Sequence, residues 1–89
     1  MKLKYLCMDN MSKFGNTEGF VIFPEFEDHG RMARKLGGKE HVTAAGFVSI
    51  GEDENGETTA ACYGKSQSLG VESRGERDSA DITRCIRGY

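Results

Sequence analysis

Eighty-nine residues of 9.8 kDa, 37% apolar and 29% charged, make one domain spanning 1–89, since each of two halves would be too small to bury a core unaided. That composition is too apolar for a disordered chain, and no run reaches the roughly 18 apolar residues of a membrane-spanning helix. A net charge of −2, from twelve Lys and Arg against fourteen Asp and Glu, excludes a strongly basic nucleic-acid binder.

The elements can be followed along the chain. Residues 2–8 alternate as a strand, with Leu3, Tyr5 and Cys7 on one face and Lys2 and Lys4 on the other. Residues 9–18 are rich in turn formers and read as a loop, in which Met11 and Phe14 are out of character. Residues 19–23 form an apolar run suited to a strand covered on both faces, and Pro24 ends it. Pro24 then opens a helix whose first turn carries Glu25, Glu27 and Asp28, with Phe26, His29, Ala33 and Leu36 along one face. Gly37 and Gly38 stop it.

Residues 41–52 read as a long strand, joined through Asn55 and Gly56 in a type I′ turn to a partner over 57–65. The small residues Ala44, Gly46, Ala60 and Gly64 leave room for a helix to approach closely, with Gly30 suited to that contact. Residues 64–75 read as a polar loop. A last helix lies within 74–88, with Ile82, Cys85, Ile86 and Tyr89 on its apolar stripe. Ser73 with Glu76 has the spacing of a capping box, and Asp78 or Ser79 could cap a later start.

Residues 1–50 carry a net +1 and residues 51–89 a net −3, most of the excess coming from Glu52, Asp53, Glu54 and Glu57 at the hairpin tip. The amino-terminal segment lacks the apolar core of a signal peptide because Asp9 interrupts it, which points to the cytoplasm. Cys7, Cys62 and Cys85 are odd in number and show no C-x-x-C spacing. They read as small buried hydrophobes in a reducing compartment, without metal or disulfide.

Motifs that could carry chemistry are incomplete. Gly64-Lys65-Ser66 resembles the end of a phosphate loop, but Thr59 stands where its first glycine belongs. The 53–56 segment overlaps a calcium loop, but Gly51 and Cys62 occupy two ligand positions. His29 lies on a helical apolar face, as a core histidine with one satisfied hydrogen bond would, and His41 is the other histidine. A Cys62–His29 nucleophile and base has no support in spacing. An anion-binding turn could use Lys65, Ser66, Ser68 and Arg74. A nucleic-acid surface could use Arg31, Arg34, Lys35 and Lys39, but that helix face lacks an interleaved aromatic.

The combination of residues 21–24, His29, Met32, Ala33, Leu36, residues 44–48 and Gly64-Lys65-Ser66-x-Ser68-Leu69-Gly70 resembles small proteins of phages, prophages and mobile elements. The resemblance implies an inhibitor or modulator that binds a host or competitor macromolecule, anti-CRISPRs being one such class. The expectation is therefore an α+β domain ordered β-β-α-β-β-α, a four-stranded, mainly antiparallel sheet with two helices on one face. It would bind a protein partner without catalysis, cofactor or metal. Met11, Phe14 and the acids Glu52, Asp53, Glu54 and Glu57 are its candidate partner surface. Two other readings stay open, an anion-binding domain or enzyme using the 64–74 turn and a nucleic-acid binder using the first helix. Apolar residues on both sides of the strands, over 20–23 and at Phe47, also point to a homodimer.

Overall fold

The computed structural model describes residues 2–10 and 19–87. Strands β1 (Lys2–Met8), β2 (Gly19–Pro24), β3 (Val42–Glu52) and β4 (Thr58–Tyr63) form one antiparallel sheet in the order β2-β1-β3-β4. Helix α1 (His29–Lys35) lies between β2 and β3, followed by a single 3-10 turn at Lys39–His41. Helix α2 (Glu76–Arg87) ends the described chain. This is the α+β class and element order expected from the sequence. Two short strands are added where a loop was expected: after β4 the chain folds into a small hairpin of β5 (Lys65–Ser66) and β6 (Val71–Glu72). No described helix is long and apolar enough to cross a membrane.

The helices lie on opposite faces of the sheet, a correction to the single-face arrangement. Successive strand residues point to opposite sides. Tyr5 packs with Val48, Ala60, Cys62 and Ile82 of α2, whereas its neighbour Leu6 packs with Met8, Phe23, Ala45 and Ala33 of α1. Tyr5, Leu6, Cys7 and Met8 are all fully buried, so β1 is a central strand covered twice.

Helix α1 starts later than the proline suggested. Pro24 is the last residue of β2, and Asp28 is the N-cap, its carboxylate accepting the Arg31 N–H at 3.0 Å. A capping carboxylate outcompetes a proline that is already committed to the strand. Phe26 therefore sits in a turn, 83% exposed, rather than on a buried helical face. Gly37 and Gly38, with φ of 124° and 114°, turn the chain out of the helix as expected.

The 53–57 turn also differs. Positive φ is confined to Gly56, so Asn55 does not adopt the type I′ conformation. Asp53 closes a three-residue loop instead, through its own N–H to the Glu57 carbonyl and the Gly56 N–H to its carbonyl. Its carboxylate accepts the Asn55 and Glu57 N–H groups at 2.9 and 3.0 Å, which an aspartate two residues before a turn is well placed to do.

The buried side of α2 is polar where an apolar stripe was expected. Asp78 and Ile82 are buried, Cys85 and Ile86 are exposed, and Tyr89 lies outside the described residues. Ser79 and Thr83 accept the Cys62 and Ala60 N–H groups at 2.8 and 2.9 Å. The helix thereby satisfies backbone donors along β4, the outer strand. At α2's start, Asp78 reaches back to the Arg74 N–H and Ser73 accepts the Gly75 N–H, instead of forming the expected capping box.

Candidate functional site

The buried titratable groups are engaged in holding the fold. His29 is held between Phe23 and Phe47, edge to face with both, and its Nε2 donates to the Gly46 carbonyl at 2.8 Å. Burial pushes its pKa below the usual histidine value, so it stays neutral as a core residue. Beneath α2, the Tyr5 hydroxyl donates to Asp78 and lies 2.7 Å from Ser73 Oγ. Burial and the Asp78 carboxylate both keep Tyr5 protonated. Burial pushes the Cys62 thiol up to about 11, the opposite of what a nucleophilic cysteine needs. Cys62 packs beneath α2, whereas His29 belongs to α1 on the other face of the sheet, so the suggested pair is not assembled. Among the described residues, no His, Cys, Asp and Glu cluster is arranged to hold a metal ion.

The four residues of the suggested anion turn do not converge. Ser66 is buried, its Oγ accepting the Leu69 N–H and lying 3.3 Å from Ser68 Oγ. Arg74 points under α2, where it binds Asp78 through Nε at 2.8 Å and a terminal nitrogen at 2.7 Å, and contacts the Cys7 sulfur at 3.1 Å. Lys65 and Ser68 alone remain on one outward surface.

The acidic tip is partly neutralised. Arg87 of α2 reaches both Asp53 and Glu57 at 3.2 Å, while Glu52 and Glu54 stand exposed beside them. Met11 and Phe14 lie outside the described residues. On α1, Arg31, Arg34 and Lys35 are exposed, as is Lys39 in the following turn.

The structure assembles a surface that the sequence kept scattered. Register places Lys4, Phe47 and Tyr63 side by side on β1, β3 and β4, with Lys2 next to Ser49 on the same face. Phe47 and Tyr63 stack at 5.8 Å between ring centres and 25° between planes, and Tyr63 is 43% exposed. Lys2 Nζ lies 4.7 Å from the centre of the Phe47 ring, a cation–π contact, with Glu25 3.7 Å away. Lys4 Nζ donates to the Glu27 carbonyl at 2.8 Å, fixing the turn that leads to α1.

A cleft of about 620 Å³ opens beside this stack, lined by Lys4, Asp28, His29, Phe47, Lys65 and Ser68 among others. A second cleft of about 240 Å³, lined by Gly30, Arg34, Lys39 and Leu69, shares Ser68 with it. Gly30 permits this closeness, since a Cβ there would stand 3.0 Å from Asp28 Oδ2 and 3.6 Å from Ser68 Oγ. It makes room for the Ser68 loop rather than for a strand. Asp28 is the acid in the larger cleft. The Arg31 N–H and the Ser68 hydroxyl hold its pKa below the usual carboxylate value, and its charge caps α1.

The alternation in β1 already put Lys2 and Lys4 on one face, but nothing in the sequence signalled Tyr63 beside Phe47. That adjacency depends on the β3–β4 register, which the turn geometry sets. Comparison with protein-family models, with curated proteins and with solved structures found no match.

Proposed function

We propose that this protein is a non-catalytic binding domain that engages another macromolecule through the aromatic and basic face formed by Lys2, Lys4, Phe47, Tyr63 and Lys65. The supporting observation is the stacked, partly exposed Phe47–Tyr63 pair beside a cleft with two lysines. Partly exposed tyrosine and phenylalanine are among the residue types that anchor interfaces. Among His29, Tyr5 and Cys62, no reactive nucleophile is paired with a base. The phage-type resemblance favours a cytoplasmic role as inhibitor or modulator of a host or defence factor. Met11 and Phe14, with Glu52 and Glu54, remain a proposed second contact.

The test is capture from host lysate by immobilised protein, wild type against a Tyr63→Ala/Lys65→Ala variant of unchanged melting temperature. A retained macromolecule that the variant loses supports the reading. Identical captured sets from both proteins overturn it.

A further inference from the structure

We infer that the two joined clefts and the Phe47–Tyr63 stack form a binding track for single-stranded nucleic acid. This rests on the binding reading above and names its partner. The surface supplies both parts such a ligand requires. Lys4 and Lys65 line the first cleft and Arg34 and Lys39 the second, giving four cations along a continuous path through Ser68. A phosphate backbone tracks a row of this kind through charge neutralisation. At one end, the Tyr63 ring extends the sheet face as a partly exposed platform on which an unpaired base can stack.

Much of the molecule's negative charge is gathered away from this track. Glu52, Asp53, Glu54 and Glu57 are collected at the far hairpin tip, while Asp78 is buried under α2 on the opposite face of the sheet. Four acids lie near the track: Asp28 is occupied by the α1 N–H groups and Ser68, Glu25 by Lys2, Glu72 stands opposite Lys65 in the β5–β6 pair, and the Glu40 carboxylate lies against Gly38 beside Lys39. The helix surface suggested by sequence supplied cations without an aromatic. The fold supplies the aromatic from β3 and β4, and Ser68 joins its cleft to the one that Arg34 and Lys39 line. An extended, unpaired strand fits better than a duplex, because base stacking on Tyr63 needs a face that pairing within a helix hides.

Anisotropy titrations of labelled single-stranded DNA and RNA of about ten nucleotides test the inference with the full chain. With four phosphate contacts at about 0.7 each, log Kd should rise with log salt at a slope of about 3. Lys65→Ala should lower that slope by about 0.7. Tyr63→Ala should weaken binding roughly tenfold at every salt concentration, Tyr63→Phe should restore most of it, and Arg84→Ala on α2 should leave it unchanged. Thermal melts of each variant show whether a loss of binding comes from unfolding. If Tyr63→Ala unfolds, Lys65→Ala and the salt slope carry the test.

Absence of binding at low salt and high micromolar protein overturns the inference. So does equal affinity for the matching duplex, or indifference to both Tyr63 and Lys65. Should the oligonucleotides fail while lysate capture still depends on Tyr63 and Lys65, the surface stands as a binding face and nucleic acid is wrong as its occupant.

Discussion

His29 shows how one side chain can carry a measurable consequence. Its Nε2 donates to the Gly46 carbonyl, and Phe23 and Phe47 enclose the ring. Burial makes the imidazolium costlier in the folded chain, so its folded pKa lies below 6.5. Between those two values the unfolded chain binds more protons. Stability from this residue is therefore complete above 6.5 and declines as pH falls toward the lower folded value. His29→Gln can still donate to Gly46 and should flatten this part of the pH–stability curve in urea melts. The lowered carboxyls of Asp28 and Asp53 contribute stability that is lost as pH falls below their usual 3.8. A second residue-scale comparison follows from burial. Leu6→Ala, at a fully buried site, should cost about 2–5 kcal/mol, and the half-buried Leu36→Ala less. Lys35→Ala should change stability by under about 0.5 kcal/mol. Equal effects of the two leucines would show that α1 packs differently.

At the scale of elements, close backbone approach decides what is tolerated. A Cβ on Gly46 would stand 2.5 Å from the Tyr63 carbonyl oxygen and 3.1 Å from Ser73 Cβ, whereas one on Gly51 would meet nothing within 4 Å. Gly46→Ala should therefore destabilise by about 1–3 kcal/mol, with Gly51→Ala close to neutral, as paired melts can measure. The small residue at position 46 was legible in the sequence. What approaches it was not, because the crossing segment is the chain leaving β4 and not a helix. Thr83 gives a complementary case. Thr83→Val keeps the shape but leaves the Ala60 N–H without its hydroxyl acceptor, at a cost of about 1–3 kcal/mol. Hydrogen exchange at Ala60 should accelerate in that variant. An apolar stripe cannot reveal such a contact, since helical periodicity assumes that the buried side of a helix is greasy and α2 buries Asp78.

For the whole molecule, folding changes the case for self-association. Phe23 is buried beneath α1 and Phe47 is flanked by His29 and Tyr63, so neither is a bare apolar face. Phe20 and Ile22 on β2, an outer strand of the sheet, remain half-buried or exposed. Pairing through β2 would give a species of twice the 9.8 kDa chain mass in light scattering, which Ile22→Lys should dissociate. A 9.8 kDa species across micromolar to near-millimolar protein removes that arrangement. By itself the sequence determined the α+β class, its four main strands, the glycine end of α1 and a core role for His29. Local signals suffice there, because alternation, positive φ and burial of an imidazole on an apolar face depend on neighbours in the chain. Tertiary structure alone decided that the helices take opposite faces and that Asp78 is buried against Tyr5. It also decided that Lys4, Phe47 and Tyr63 meet in one row. Residues 4, 47 and 63 are joined only by strand register, and register is a property of the assembled sheet.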